Sequence, residues 1–542
     1  MNNYYFSLLA SILLLASGQT TANTYAIVIG IDAYKNVPRL DGAANDANMI
    51  AHALTTIGVK PTVLLNGDAT RNNIKKAWED IAAQANKGDT VYFTYAGHGA
   101  QQPERIKNTE EDGQDEFYVL ANFATSGSDS AERLMDDDLR DWFAKRPDVN
   151  IVLVSDSCHS GTMTRSYKKN HLKYRNLGRL NIQNDALPSA TDNTASNGYK
   201  TKPTELPHII AFAGVPDHEE VPELTIEKQT HGALSWHFSK GIMGLADTDK
   251  NGVVTAVELK DYVLEQVRMT TQGQQHPQVS FINNITLAQN GQQIAPATDW
   301  TGSLPAISFS IIDNSANNAT TKAATEKLMG IELVEAHKGI LEWDVEEGVI
   351  RNTFNDKVYQ LRVEQATTKA YQRKGMESTA LTTETAGQLQ AVIDKFRLVE
   401  KLTLASDGSL EITILPNDKL HFKGESVKLS LGRVKYPYLT LINLAVDGSI
   451  NFLYPIDSDA LAIPVASAFQ TPELMVSEPF GADHFVAITS DKPLSQLHEK
   501  LKQTNNPTIS IDDLKKALET ALKDTRYQLG IHASFTEMAT SN

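Results

Sequence analysis

The stretch Ile151-Val152-Leu153-Val154-Ser155-Asp156-Ser157-Cys158-His159-Ser160-Gly161 carries the chain's one cysteine, where an apolar run gives way to a turn of small residues. A second stretch, Val91-Tyr92-Phe93-Thr94-Tyr95-Ala96-Gly97-His98-Gly99, has the same build and ends in an imidazole. Tyr25–Ile31 and His208–Gly214 are further runs of this kind. Runs that stay apolar without alternating are strands covered on both faces, as in a parallel sheet. Helical patterns lie between them. Ala44, Met49, Ile50, Ala53 and Leu54 are spaced for a helix over 41–58. Thr70 can cap a helix to about Asn86 that buries Ile74, Trp78 and Ile81, and Asp136–Lys145 opens with acids, as the helix dipole favours. The alternation predicts an α/β fold with a mostly parallel sheet flanked by helices, and ligands bind such sheets beyond the carboxyl ends of their strands. His98 and Cys158 both lie at such ends.

A lone cysteine is either a buried small hydrophobe or a reactive thiol. A thiol attacks a carbonyl as thiolate, and a neighbouring imidazole promotes that form. Gly97 and Gly99 around His98 permit close substrate approach, Ser160 and Gly161 leave room beside the thiol, and the amides of Gly99 and Cys158 are candidate oxyanion donors. By strand alternation Asp156 faces the same way as Cys158, and Ala96 the same way as His98. A carboxylate next to a thiolate disfavours ionisation, so Asp156 needs another role: binding a cationic substrate group, or accepting backbone N–H groups at the turn.

At 542 residues the chain exceeds one core, and 50 Lys plus Arg against 66 Asp plus Glu leave a net charge of −16. That balance argues against nucleic acid and anionic membrane as partners, and suits either simple solubility or cationic ligands. Residues 5–16 are apolar, too short to span a bilayer and followed by Thr20-Thr21-Ala22, which reads as a signal peptide over 1–22 of an exported protein, periplasmic or secreted, with no membrane association after cleavage. The first domain is expected over 24–290. Within it, residues 165–204 are polar and first basic (Arg165, Lys168, Lys169, Lys173, Arg175, Arg179), and read as a long loop. Asp247, Asp249, Asn251, Val253 (through its carbonyl), Thr255 and Glu258 have the spacing of a calcium loop around Gly252; the competing reading is a polar turn capping the next helix through Thr255. Past residue 304 the pattern turns to strands and turns, read as β-rich accessory regions over 304–415 and 416–542, the latter with a terminal helix at Ile511–Leu522.

Gly30-Ile31-Asp32, Leu40–Asp46, Tyr95–Gly99, Glu111–Glu116 and Asp156–Gly161, in this order, resemble the metacaspases and bacterial caspase-like (orthocaspase) peptidases over roughly residues 24–285. The resemblance implies a caspase-haemoglobinase fold and a cysteine endopeptidase with a His98–Cys158 dyad. It also implies cleavage after Arg or Lys, so the partners are proteins or peptides bearing basic residues. The family's pocket carboxylates fall on Asp46 and Asp156, and its common pocket serine on Ala96. Its calcium region falls near Asp112, Asp115, Asp136 and Asp137. The 165–204 segment stands where the family separates its large and small portions, which makes self-processing there an expectation. The stretch from about His421 to Ser490 resembles a β-rich domain often found downstream of bacterial caspase-like domains, a natural site for a protein partner. The alternative reading of the whole is a catalytically idle caspase-like scaffold.

Overall fold

A computed structural model describes residues 22–538, apart from 107–109, 111, 159–171, 188–201, 216–218, 290–301, 314–320, 322–323, 362–378, 417–419, 456–462, 464–468 and 503–508. The expected signal peptide lies almost wholly outside the described residues, as do Ser160 and Gly161. The first half runs β1 (Thr24–Gly30), α1 (Ala43–Thr56), β2 (Thr62–Leu65), α2 (Arg71–Gln84), β3 (Thr90–Ala96), β4 (Gly99–Pro103), β5 (Gln114–Val119), β6 (Arg133–Met135), α3 (Asp136–Ala144), β7 (Asn150–Asp156), β8 (Asn176–Arg179) and β9 (Ile209–Ala213). It continues with β10 (Glu223–Ile226), β11 (Gln229–Gly232), α4 (Ala233–Lys240), β12 (Val253–Thr255), α5 (Ala256–Thr270), β13 (Gln278–Ser280) and β14 (Thr286–Gln289).

The central sheet has the order β13-β9-β7-β3-β1-β2 and is parallel except for β13 at its edge. Its apolar runs follow from burial on both faces. Ile27, Ile29, Val91, Phe93, Ile151 and Leu153 pack into the core that also holds Ile74, Trp78 and Ile81 of α2 and Phe143 of α3. The intervening Ala26, Val28, Tyr92, Val152 and Val154 pack with Ile50 and Leu54 of α1, Phe238 of α4 and Leu259 and Val263 of α5. A polar residue at any of these positions would lose its water without gaining a partner. Thr70 caps α2 as expected, its hydroxyl accepting from the Asn73 amide.

Beside this sheet lies a second one, β6-β5-β4-β8, which the sequence reading placed only in part. β4 begins directly after His98, and β8 comes from the segment expected to be a loop over 165–204. Of the described parts of that segment, residues 172–187 and 202–204, the first contains β8, which runs parallel to β4.

In the second half, strands between Ile307 and Gln360 form one sheet, in the order 331–333, 307–312, 341–344, 349–352, 357–360. The long helix Thr379–Ala405 serves two cores at once. Leu389, Val392, Ile393 and Phe396 pack on that sheet, while Leu398 and Leu402 pack with Leu514, Leu518 and Ile531 of the C-terminal region. The boundary expected at 415/416 falls inside a sheet, because Glu411–Leu415 pairs with Ser426–Gly432. The last strand, Tyr527–Glu537, was not anticipated after the helix Ile511–Leu522; it lies against Ala482–Ser490 along its length. The halves meet through polar contacts such as Gln266 Nε2 to the Ser406 carbonyl (2.9 Å) and Asn352 Nδ2 to Gln272 Oε1 (2.6 Å). No helix among the described residues is long and apolar enough to cross a membrane.

Candidate active site

β3 and β7 are neighbours with Ala96 opposite Asp156, so His98 and Cys158 each stand two residues past a paired strand end. The turn into His98 requires Gly97: a Cβ there would lie 2.5 Å from the Tyr34 hydroxyl and 2.6 Å from that of Tyr95. Those phenols hold the histidine backbone. Tyr34 Oη accepts from the His98 amide at 2.7 Å, and Tyr95 Oη lies 2.8 Å from the His98 carbonyl.

The His98 ring places Nε2 2.9 Å from the Pro38 carbonyl. A carbonyl only accepts, so Nε2 carries the hydrogen and Nδ1 keeps its lone pair. Nδ1 is buried and makes no hydrogen bond among the described residues. Burial lowers the pKa of His98 to about 4, with the Pro38 bond opposing and the charges of Arg175 and Lys173 adding to the drop. Cys158 is buried as well. Burial pushes its thiol up; the Val221 N–H, donating to Sγ at 2.7 Å, works against this, and Glu220 and Asp156 reinforce it. The thiol lies 3.6 Å from the Glu219 carbonyl. Burial thus favours the neutral imidazole and the neutral thiol.

The pocket next to it contains a residue of the chain itself. Arg175, fully buried, sends Nη2 to Asp46 Oδ2 (2.6 Å) and Glu223 Oε1 (3.2 Å), and Nη1 to Asp156 Oδ2 (3.2 Å). Burial works against the guanidinium charge, but Asp46, Asp156 and Glu223 together hold its pKa well above the ordinary value. Each carboxylate is fixed in turn. Asp46 accepts from the Gly232 amide (2.9 Å) and pairs with His231 Nδ1 (2.8 Å). Asp156 accepts from the Ser235 amide in the first turn of α4 (2.9 Å), and Glu223 from the amides of Asp41 (2.8 Å) and Gly42 (2.9 Å). Gly232 leaves room for this: a Cβ would sit 2.3 Å from Asp156 Oδ2 and 2.6 Å from Arg175 Nη1.

The expected residues thus separate into two groups. His98, Cys158, Gly99, Asp46 and Asp156 gather around Arg175. The amides of Gly99 and Cys158 both donate to one oxygen, the Arg175 carbonyl, at 3.0 and 3.2 Å. Asp156 accepts a backbone N–H, the second of the roles left open for it, and pairs with a cation of the chain itself, Arg175. Ala96, expected in the pocket, is buried in the apolar core and brings no polar atom to the guanidinium. Glu223, His231, Tyr34 and Pro38 were not anticipated, because acids and tyrosines in loops and hairpins have no spacing that marks them. Arg175 was visible only as one of several basic residues in its segment.

At the loop 247–258, ligand oxygens of Asp247, Asp249 and Glu258 lie within 4.8 Å of one another. Asp247 and Asp249 accept from the Asn251 amide, and Asn251 Nδ2 donates to Asp249 Oδ2 at 2.9 Å. Thr255 caps α5 and exchanges hydrogen bonds with Glu258. The helix cap is present, and three of the acids expected in a calcium loop lie together beside it. Its pairing partner is β14, not a second loop of the same kind. An all-oxygen set with three carboxylates fits a hard cation such as calcium. Of the acids in the expected calcium region, Asp136 is half-buried, and loss of water followed by the charges of Glu116, Asp137 and Glu110 holds its carboxyl well above the usual range. Asp115 accepts from the Arg105 amide at 2.9 Å.

A thiol and an imidazole stand at the carboxyl ends of neighbouring parallel strands, beside an acid-lined pocket. Residues 23–287 match the family model described as the caspase domain. That part of the chain is similar to the caspase domain, and the match supports a caspase-like cysteine peptidase. Among its relatives are a metacaspase-1 of Kluyveromyces lactis, 27% identical over 264 residues, covering 41% of this chain and 59% of the relative. A metacaspase-1 of Pyricularia oryzae is 26% identical over 280 residues, covering 44% and 68%. The chain thus spans 59% of the length of the first of these. Solved structures similar to it include protein GSU0716 from Geobacter sulfurreducens, with a TM-score of 0.34 and 22% identity, covering 50% of this chain and 95% of that one. The Drosophila initiator caspase Dronc aligns with a TM-score of 0.29 and 10% identity, covering 48% and 81%.

Proposed function

We propose that the protein is a cysteine endopeptidase that cuts peptide bonds after Arg, and less well after Lys. The observation that carries this reading is the set of three buried carboxylates, Asp46, Asp156 and Glu223, closed around one guanidinium. Three such acids without a cation would bury uncompensated charge at a cost of several kcal/mol, in the range of about 3–5 for a broken buried pair. The pocket is therefore built for a positive side chain. Its geometry favours arginine, whose two Nη atoms reach opposite acids, whereas a lysine ammonium is a single point charge.

In the reaction, Nδ1 of His98 takes the thiol proton as Cys158 Sγ attacks the carbonyl carbon, and the amides of Gly99 and Cys158 receive the oxyanion. His98 returns the proton to the leaving nitrogen, and water then hydrolyses the thioester. Calcium at Asp247, Asp249 and Glu258 would stiffen the entry to α5 and supplies no step of the chemistry. We read the apolar N-terminal run as an export signal, which a shortened N-terminus on secreted material would verify.

The test is hydrolysis of fluorogenic peptides ending in Arg, Lys or Asp, with and without calcium. The expected order is Arg above Lys with Asp inert. Cleavage after Asp would overturn the pocket assignment, and no turnover under any condition would favour the idle scaffold.

A further inference from the structure

We propose that the cavity between the first and second halves of the chain is a binding site for a small organic cation, a primary amine on an aromatic body, held by the carboxylate of Glu400. The cavity has a volume of about 260 Å³. Sites for drug-sized ligands run from roughly 300 to 1,000 Å³, so this one suits a small molecule. The proposal stands apart from the peptidase reading and neither needs it nor supports it.

Both halves build the walls. The turn after β10 supplies Glu227, α4 supplies Trp236 and Lys240, α5 supplies Tyr262, and the helix Thr379–Ala405 supplies Phe396 and Glu400. Glu400 is half-buried and makes no hydrogen bond or ion pair among the described residues. Loss of bulk water raises its carboxyl pKa and the Glu227 charge adds to the rise, with no positive charge opposing them. Lys240, the cation on the same wall, is committed elsewhere: its Nζ lies 3.7 Å from Glu227 Oε1 and 4.7 Å from the centre of the Trp236 ring. Glu400 thus faces an enclosed space with its charge uncompensated.

An acid alone would not make a site. Tyr262 is 3% exposed, and its hydroxyl finds no partner among the described residues. His484, 1% exposed and also on the cavity wall, has neither ring nitrogen hydrogen-bonded among them. Buried polar groups normally have partners, so two such groups on one cavity wall point to something that binds there. Water could serve the phenol, but it would leave the carboxylate charge uncompensated and finds no partner on the rings of Trp236 and Phe396. An ammonium compensates Glu400, aromatic faces attract a cation and pack against a ring, and a ligand hydroxyl can meet a free imidazole. Those requirements together describe an amine such as tyramine.

The placement of Glu400 in its helix supports the same reading. Phe396, Leu398 and Leu402 of that helix are core residues. Between them a neutral side chain at 400 would be the more stable choice, since an unpaired acid pays for its lost water with no return. Positions that sacrifice stability in this way are those held for a ligand.

The experiment is isothermal titration calorimetry and thermal unfolding of the full chain in a Cys158→Ala background, which keeps the chain whole. The probe is tyramine, with para-hydroxyphenylacetate and para-propylphenol as its anionic and neutral counterparts. Tyramine should bind saturably, one molecule per chain, and raise the Tm. Its counterparts should bind about tenfold more weakly or less, and Glu400→Gln should weaken tyramine by about the same factor. Without ligand, Glu400→Gln should unfold at the parent's Tm or above it. Thr403→Trp, which adds bulk to the cavity wall and leaves the acid in place, should also abolish binding. No saturation at millimolar tyramine, equal binding of the three compounds, or affinity unchanged in Glu400→Gln overturns the proposal. So does a lower Tm in unliganded Glu400→Gln, which would make the acid a structural one.

Discussion

Arg175 Nη2 lies 2.6 Å from Asp46 Oδ2, and neither side chain has any exposed surface. A contact so fully withdrawn from water turns the substrate pocket into part of the folded core for as long as the arginine stays.

Removing that cation should cost stability in a pH-dependent way. In a Cys158→Ala background, Arg175→Ala is expected to lose about 3–5 kcal/mol, the range for breaking a buried ion pair. Burial already raises the pKa of Asp46 and Glu223 with the arginine in place, and its loss raises them further. A carboxyl raised in the folded state holds a proton there that the unfolded chain has given up. Its stability contribution is thus present below the unfolded value, about 4, and is lost as pH rises above it. Urea midpoints at pH 5 and pH 8 check this: the deficit of Arg175→Ala should be larger at pH 8. An equal deficit at both would contradict it.

The base should show itself in the acid limb of the rate profile. With Arg175 in the pocket, His98 titrates at about 4, held down by burial and by the charges of Arg175 and Lys173. Any self-processing in the 165–204 segment should therefore persist to about that pH and fall tenfold per unit below it as the imidazole protonates. kcat/KM for peptides reports the free enzyme. There the two positive charges are gone, so its acid limb should lie higher, towards the ordinary histidine value of about 6.5. Coincident limbs would argue against His98 as the titrating base. His98→Ala should lower kcat about 10²- to 10⁴-fold, the usual range for a positioned acid–base group.

Asp46→Asn tests the pocket from the other side. One charge goes while the amide can still meet the Gly232 backbone, so the fold should survive. kcat/KM for Arg peptides is expected to fall by about 2–3 kcal/mol in transition-state terms, and the preference for Arg over an uncharged residue to narrow. An unchanged preference would move recognition elsewhere.

The loop at 247–258 allows metal and cap to be separated. Glu258→Gln keeps a side chain able to complete the capping box with Thr255 but loses a carboxylate ligand. Calcium should raise the Tm of the wild type and leave Glu258→Gln unmoved, with the two equal in chelator. No shift in the wild type at millimolar calcium would reduce the loop to a cap.

The sheet was legible because burial on both faces leaves an unbroken apolar run, which is why the ends of β3 and β7, and with them His98 and Cys158, could be read directly. The edges were not. β4 contains Gly99, Gln101 and Gln102, and β8 contains Asn176, Gly178 and Arg179; neither has a hydrophobic period, and each is a strand only because the other half of its sheet is present. The pocket was half legible for a related reason. Asp156 follows from the strand that carries the nucleophile, whereas Glu223 reaches the guanidinium from a hairpin whose placement is entirely tertiary. No spacing in the sequence links Arg175 with Asp46, 129 residues away.

β8 bears on the self-processing expected of the 165–204 segment. The residues before the Arg175–Asn176 bond are held on 221–223 and those after it on β4, so a cut there would sever the chain without freeing either end. The new carboxylate and amine then face each other at high effective concentration, and rejoining competes with departure. Onset of activity in trans is accordingly expected to lag behind the cut by the time one strand takes to peel away, so a protein that is already two pieces can still behave as one closed molecule.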